Sequence, residues 1–239
     1  MIIPILRLPK VFHVGTMRNP PRGRRKSYEG NALSVSLCPE AWTSIARLGG
    51  RPTKQLVKPG GEFVHARVLP EEAKNQIRTW ARETGILDTA TIWHVPMFDE
   101  DGESDGYMEF LDESKAQAEF NSYYGDSEEF EDRSEMPSLT QRPDYVATQK
   151  LLDVVNVDGP VLGRSAFDFA LMAWVYNTDL DGVWWDENYD PISLSAPRGA
   201  ISPGKIKQWD VETMHKEISD DCGLDLMSMT TLTDIPISS

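Results

Sequence analysis

The chain has 239 residues and a formal net charge of -14 at pH 7, and hydrophobic residues make up 40% of it. This composition supports a sizeable core in one large domain or two small ones. No apolar run approaches the roughly 20 residues of a membrane-spanning helix, and the first residues lack the architecture of a cleavable signal. These observations argue against a membrane protein, and we expect a globular protein of the cytoplasm.

The charge is divided unevenly along the chain. Residues 1–67 hold 12 Lys and Arg against 3 Asp and Glu, a net of +9, whereas residues 99–135 hold 15 Asp and Glu against 2 Lys and Arg, a net of -13. Within the basic part, residues 18–26 form a Pro- and Gly-containing loop that is either a solvated surface or a binder of phosphate or nucleic acid. The acidic segment is either a solvated, partly disordered insertion or a docking segment for a basic partner.

Two polar strands bracket that basic loop. Residues 11–16 have the β-branched and aromatic content of a short strand, with His13 beside Gly15. In residues 33–38, apolar side chains alternate with Ser34, Ser36 and Cys38, which is the period of a half-buried strand. The Pro39 that follows predicts a helix start.

The remaining pattern predicts helices and strands in a mixed order. Two early prolines make a regular strand over residues 1–9 unlikely. Residues 227–239 show no clear periodicity and are a candidate tail for contact with a partner. We expect strands at 62–69, 86–97 and 181–187, and helices at 70–83, 143–157 and 165–177, the last capped by Ser165.

The two cysteines, Cys38 and Cys222, lie far apart in the sequence, and no histidine accompanies them at metal-ligand spacing. We therefore expect two free thiols and no metal site. His65, His94 and His215 have no motif around them and receive no role.

Taken in order, the polar motifs resemble the ADP-ribosyltransferase superfamily. The motifs are His-x-Gly-Thr from His13, Tyr28, Ser-x-Ser from Ser34, and Asp-Gly-Val-Trp-Trp-Asp over residues 181–186. More narrowly, the chain is similar to ADP-ribosyltransferase toxins of bacterial phage defence, among them RNA-modifying toxins controlled by an antitoxin and a SecB-like chaperone. The resemblance implies a single α+β domain over residues 1–239, with split β-sheets around an NAD cleft, flanking helices, and residues 99–135 as an acidic insertion.

The same resemblance implies roles for individual residues. His13 matches the histidine that hydrogen-bonds the NAD ribose, and Gly15 and Thr16 would line the dinucleotide. Tyr28 would stack on the nicotinamide. The other implied NAD contacts are Ser34 and Ser36 in the nicotinamide pocket, Trp185 as an aromatic contact, and Arg198 on the pyrophosphate, with Arg22, Arg24 and Arg25 as alternatives.

The catalytic carboxylate departs from the family pattern. Cleavage of the nicotinamide–ribose bond develops positive charge on the ribose, so a fixed carboxylate is the natural electrostatic stabiliser. The late strand, where the family carries a glutamate, has no acid in residues 192–199. Asp186 is the preferred candidate because it follows a strand end, with Glu187, Asp190 and Glu29 as runners-up.

Plainer readings stand beside these. A strand histidine such as His13 is often structural, Ser34 and Ser36 could form a solvent-facing edge, and Trp184 and Trp185 are expected to pack on opposite faces of a strand. The expected function is an NAD-dependent ADP-ribosyltransferase toxin acting on a macromolecule, with RNA favoured as acceptor. The alternatives are an acidic, non-catalytic interaction protein and an NAD glycohydrolase on the same fold.

Overall fold

The computed structural model describes residues 1–17, 30–45, 47–98, 104–124, 137–185, 198–214 and 227–236. These residues form a mixed α+β fold with two β-sheets and five α-helices. The α+β class expected from the sequence is therefore confirmed. The helices are α1 (Pro39–Ile45), α2 (Glu71–Glu83), α3 (Glu113–Tyr124), α4 (Gln149–Val155) and α5 (Gly163–Tyr176).

The larger sheet has nine strands, and most of its neighbours in space are distant in sequence. In spatial order the strands are β11 (Asp210–Thr213), β4 (Thr53–Val57), β2 (Lys10–Val14), β3 (Leu33–Ser36), β10 (Arg198–Ile201), β9 (Gly182–Trp184), β5 (Glu62–His65), β1 (Ile2–Arg7) and β12 (Thr230–Asp234). The β5–β9 pair is parallel and the other pairs are antiparallel.

The smaller sheet has three antiparallel strands in the order β7 (Ser104–Phe110), β6 (Leu87–Phe98) and β8 (Thr140–Ala147). Helix α5 packs against both β8 and β9, so it contacts both sheets. Ten of its fourteen residues are buried, which explains why its sequence is apolar nearly all round.

The two faces of the larger sheet are covered by different apolar clusters. Trp184 packs with Phe63 and Trp209 on one face, and Trp185 belongs to the cluster that the helices share with the other face. Both tryptophans are at most 8% exposed. The expectation that consecutive tryptophans pack on opposite faces is thus confirmed.

Several element predictions are confirmed with shifts of a few residues. The strands over 11–16, 33–38, 62–69, 86–97 and 181–187 correspond to β2, β3, β5, β6 and β9, and the helices predicted at Pro39 and over 70–83 correspond to α1 and α2. Pro70 is the N-cap of α2.

Residues 1–9 contain a strand, contrary to expectation. β1 pairs with β5 only over Ile5–Arg7, so Pro4 faces β12 alone and interrupts no ladder with β5. The predicted tail at 227–239 supplies that partner, β12. No local pattern encodes β1, because this pairing joins opposite ends of the chain.

The two late helices begin elsewhere than predicted. Residues 140–147 form β8 along β6, so the helix predicted from residue 143 begins at Gln149. Helix α5 begins at Gly163 with Leu162 as its N-cap, and Leu162 makes no side-chain cap hydrogen bond. The chain is still extended at Leu162, where it bridges Val146, and the proposed Ser165 cap is therefore wrong.

The described part of the acidic segment, residues 104–124, is folded as β7 and α3. A small apolar cluster of Val95, Ala116 and Tyr124 holds α3 against β6, and the Tyr124 hydroxyl donates to the Pro96 carbonyl at 2.7 Å. The two ends of the segment, 99–103 and 125–135, lie outside the described residues. The solvated-loop reading is therefore wrong for residues 104–124.

Cys38 is disulfide-bonded, so the expectation of a free thiol there is wrong. Separation along the sequence does not limit which cysteines the fold brings together. Among the described residues, no helix combines the length and apolar character needed to cross a membrane.

Candidate functional site

The candidate site is the junction of β2 and β3 in the larger sheet, which we call the opening. Within the described residues, ladder pairing between these strands is confined to Phe12 opposite Ser36. Beyond that pair the His13 side chain joins the two strands, with its Nδ1 2.8 Å from the Ser34 carbonyl oxygen. A carbonyl can only accept, so Nδ1 carries the proton in this bond. The His13 ring is thereby fixed in one orientation at the opening.

Five of the sequence-predicted NAD contacts meet around this opening. Ser36 lies opposite Phe12 of β2 on one side and Arg198 of β10 on the other. The backbone N–H of Trp185 donates to the Arg198 carbonyl at 3.0 Å, and the Arg198 guanidinium lies 5.9 Å from the Trp185 ring centroid. Residues separated by up to 185 positions in the sequence are thus neighbours across β2, β3, β10 and β9.

These side chains do not all leave the sheet on one face. Because side chains alternate along a strand, Ser34, Ser36 and Arg198 share a face, while His13 follows Phe12 and leaves on the opposite one. His13 reaches the other residues through the opening, by its bond to the Ser34 carbonyl. The arrangement is a row of polar groups along a gap between strands.

Two of the implied contacts also have structural roles. The Ser36 hydroxyl is buried and accepts the backbone N–H of Cys38 at 3.0 Å, which holds the turn into α1. Trp185 is 8% exposed and packs in the helix-side core. Its contact with the polar residues of the site is the one between its ring and the Arg198 guanidinium.

The turn after His13 requires glycine. Gly15 has a φ of +125°, a conformation that side chains with a Cβ rarely adopt, and a Cβ there would lie 3.6 Å from His13 Nε2. Its N–H donates to the Pro52 carbonyl at 2.9 Å, and Thr16 next to it is exposed. The His-x-Gly-Thr motif therefore forms a tight turn directly behind the His13 ring.

The remaining predicted site residues lie outside the described residues. They are Tyr28, the preferred acid Asp186, its runners-up Glu187, Asp190 and Glu29, and the arginines Arg22, Arg24 and Arg25. Asp186 is the next residue after Trp185, and Trp185 is bonded through its backbone N–H to Arg198.

Sequence reasoning missed a second polar group in the smaller sheet. His94 of β6, Glu109 of β7 and Asp144 of β8 place their ligand-type atoms within 4.8 Å of one another. No spacing rule connects residues 15 and 50 positions apart. Only the strand register brings them together, with Glu109 directly opposite His94.

Comparison with known proteins assigns no family. No protein-family description, no curated protein and no solved structure matches the chain.

Proposed function

We propose that the protein is an NAD-dependent ADP-ribosyltransferase, a toxin of bacterial phage defence that transfers ADP-ribose to a macromolecule, with RNA as the favoured acceptor. One observation carries the proposal. The strands that bear the His-x-Gly-Thr and Ser-x-Ser motifs are neighbours with one ladder pair, and the His13 ring bonds across them to the Ser34 carbonyl. The resemblance implies that a histidine on this first polar strand, beside the strand that carries the hydroxyls, hydrogen-bonds the NAD ribose.

The chemistry of the described residues fits this donor. His13 is held across β2 and β3 by its bond to the Ser34 carbonyl, and its imidazole is the group that the resemblance assigns to the NAD ribose. Arg198 brings a guanidinium, the group best suited to a pyrophosphate, to the same strand neighbourhood. Asp186 would supply the carboxylate that stabilises positive charge on the ribose.

The surface near the opening favours a nucleic acid as the acceptor. Lys10, Arg47 and Arg51 are exposed on or beside the strands and turns around β2, in the part of the chain whose net charge is +9. Exposed cations of this kind bind phosphate backbones without reading sequence. An antitoxin and a SecB-like chaperone are proposed as partners on the resemblance alone.

The test is incubation of the purified chain with NAD labelled in its adenylate, beside separate pools of RNA, DNA and cell protein. Variants His13→Ala and Asp186→Ala are run in parallel, and nicotinamide release is measured in every reaction. Gln55→Ala is the matched control, because Gln55 lies opposite Phe12 on the other side of β2, away from β3. Far-UV circular dichroism establishes that each variant is folded.

We expect label in the RNA pool, with a loss of about 100-fold or more in His13→Ala and Asp186→Ala and no loss in Gln55→Ala. Nicotinamide release with free ADP-ribose and no labelled polymer would identify an NAD glycohydrolase instead. Absence of both label and nicotinamide release from folded protein would refute the enzyme and favour the acidic interaction protein.

A further inference from the structure

His94 is a buried histidine whose hydrogen-bonding needs are unmet. It is 1% exposed, and neither of its ring nitrogens has a hydrogen-bond partner in the described part of the chain. Its nearest polar neighbour is Glu109, whose Oε1 lies 3.9 Å from Nδ1, beyond hydrogen-bond distance. Buried polar atoms are rarely left unpaired, because desolvation without a partner is unfavourable. The His94 ring is therefore suited to bind a ligand from outside the described residues.

The groups that surround this ring are carboxylates. Glu109 and Asp144 approach it from the strands on either side, and the three ligand-type atoms all lie within 4.8 Å of one another. A metal ion bound at about 2.0–2.2 Å from each ligand holds ligand atoms roughly 3–4 Å apart. The separation of 3.9 Å between His94 and Glu109 suits a bridging ion and does not suit a direct bond.

The charges of the group are also unbalanced. Asp144 has Arg142 as its neighbour, with Nε 3.9 Å from Oδ2, but the Arg142 side chain is 59% exposed. Burial, with Asp144 adding to it, raises the pKa of Glu109. Burial also lowers the pKa of His94.

The backbone is shaped to admit the Glu109 carboxylate. A Cβ on Gly163, the first residue of α5, would collide with Glu109 Oε1, and Gly163 has a φ of +51°. Any other residue here would displace the carboxylate and strain the turn. The Glu109 position is therefore built by the start of α5 as well as by the sheet.

We propose that His94, Glu109 and Asp144 form a binding site for a divalent first-row transition-metal ion, with Zn²⁺ as the best probe. One imidazole nitrogen and two carboxylate oxygens match Zn²⁺ better than Mg²⁺ or Ca²⁺, which prefer oxygen ligands alone. Three protein ligands leave at least one coordination position for water or another ligand. The proposal is independent of ADP-ribosyl transfer.

The ion has a structural consequence for the acidic segment. Each ligand comes from a different strand of the smaller sheet, and Glu109 belongs to the edge strand β7 within that segment. An ion bound to all three would cross-link β7, β6 and β8 beside the start of α5. Metal binding should therefore stabilise the fold against heat as well as occupy the site.

The test is Zn²⁺ binding by equilibrium dialysis of the metal-stripped full chain, without NAD, followed by Co²⁺ absorption spectra. Glu109→Gln and Asp144→Asn remove ligand charge with little change in shape. Glu113→Gln is the matched control, because Glu113 is an exposed glutamate at the start of α3. Thermal melts with and without Zn²⁺, and with Mg²⁺ in its place, are recorded for every variant.

We expect Zn²⁺ to raise the melting temperature of the wild type and of Glu113→Gln, and Mg²⁺ at the same concentration to have no effect. Glu109→Gln and Asp144→Asn should each weaken Zn²⁺ binding by about tenfold or more. Equal Zn²⁺ affinity in the wild type and both ligand variants would overturn the proposal. If the variants do not fold, the proposal is tested on the wild type alone. A Co²⁺ spectrum of the wild type without visible ligand-field bands would then overturn the proposal.

Discussion

At the scale of single residues, Asp181 is the buried charge on which the larger sheet depends. It is 2% exposed, and its Oδ1 accepts hydrogen bonds from Lys58 Nζ at 2.7 Å and from the Trp209 indole N–H at 3.2 Å. Its Oδ2 accepts the backbone N–H of Glu62 at 2.9 Å. The carboxylate therefore joins the start of β9 to β5 and to the Trp209 core.

Substitution of Asp181 by alanine should be strongly destabilising. The change leaves two N–H groups without their acceptor and removes one of the two acceptors of the Lys58 ammonium, the other being Gln208, so we expect the free energy of unfolding to fall by about 3–5 kcal/mol. Asp179→Ala is the control, since Asp179 makes only an exposed ion pair with Lys205 at 3.4 Å, which is worth about 0–1 kcal/mol. Urea denaturation measures both, and similar losses in the two variants would contradict the network.

Single residues also show where sequence reasoning stops. His13 was identified because glycine and threonine follow it in a short strand, and Gly15 does form the tight turn that such a motif requires. His94 was passed over because its partners, Glu109 and Asp144, are set by strand register. The disulfide at Cys38 has no local signal in the sequence. Local chemistry can be read from the sequence, whereas a contact made by pairing distant strands cannot.

At the scale of elements, the approach of β10 to β9 depends on a glycine. Gly199 lies opposite Trp184, and a Cβ on Gly199 would come 2.2 Å from the Trp184 ring and 2.8 Å from the Val183 carbonyl oxygen. Both obstacles are held inside the sheet. β10 also carries Arg198, so its position governs the row of polar groups at the opening.

Gly199→Ala should therefore impair stability and activity together. We expect the added methyl group to push β10 from β9, with a loss of about 1–3 kcal/mol in unfolding free energy and a reduction of the proposed ADP-ribosylation through displacement of Arg198. Gly204→Ala is the control, because a Cβ there would have no atom within 4 Å. Thermal melts and labelling assays measure both effects. An unchanged melt in Gly199→Ala would show that the strands adjust freely.

Elements with strong local periodicity were predictable, and those specified by their partners were not. Helix α2 has its apolar stripe and a proline as N-cap, and it lies within a residue of its predicted bounds. β8 contains Pro143 and is mostly exposed at its first half, so its sequence alone does not look like a strand. It becomes one because eight of its residues pair along β6.

At the scale of the whole molecule, one apolar core joins the two sheets. Ile5 and Val183 from the larger sheet, Leu87 and Ala147 from the smaller one, and the buried faces of α2, α4 and α5 belong to a single cluster. Because the same helices cover both sheets, displacing the helices from one sheet would expose apolar side chains of the other. This shared core is the physical basis for expecting the chain to behave as one domain.

The prediction at this scale is that the chain unfolds in one cooperative transition. Ile77 of α2 is fully buried in the shared core, so Ile77→Ala should lower the unfolding free energy by about 2–5 kcal/mol. Ile77→Ala should shift the urea transition seen by far-UV circular dichroism and the one seen by tryptophan fluorescence by the same amount. The fluorescence reports on both sheets, because Trp93 lies in the smaller sheet and Trp184 in the larger one. Thr79→Ala, on the exposed side of α2, should shift neither. Two separate transitions in the wild type, or a shift confined to one signal, would mean that the sheets unfold independently and that residues 1–239 form more than one domain.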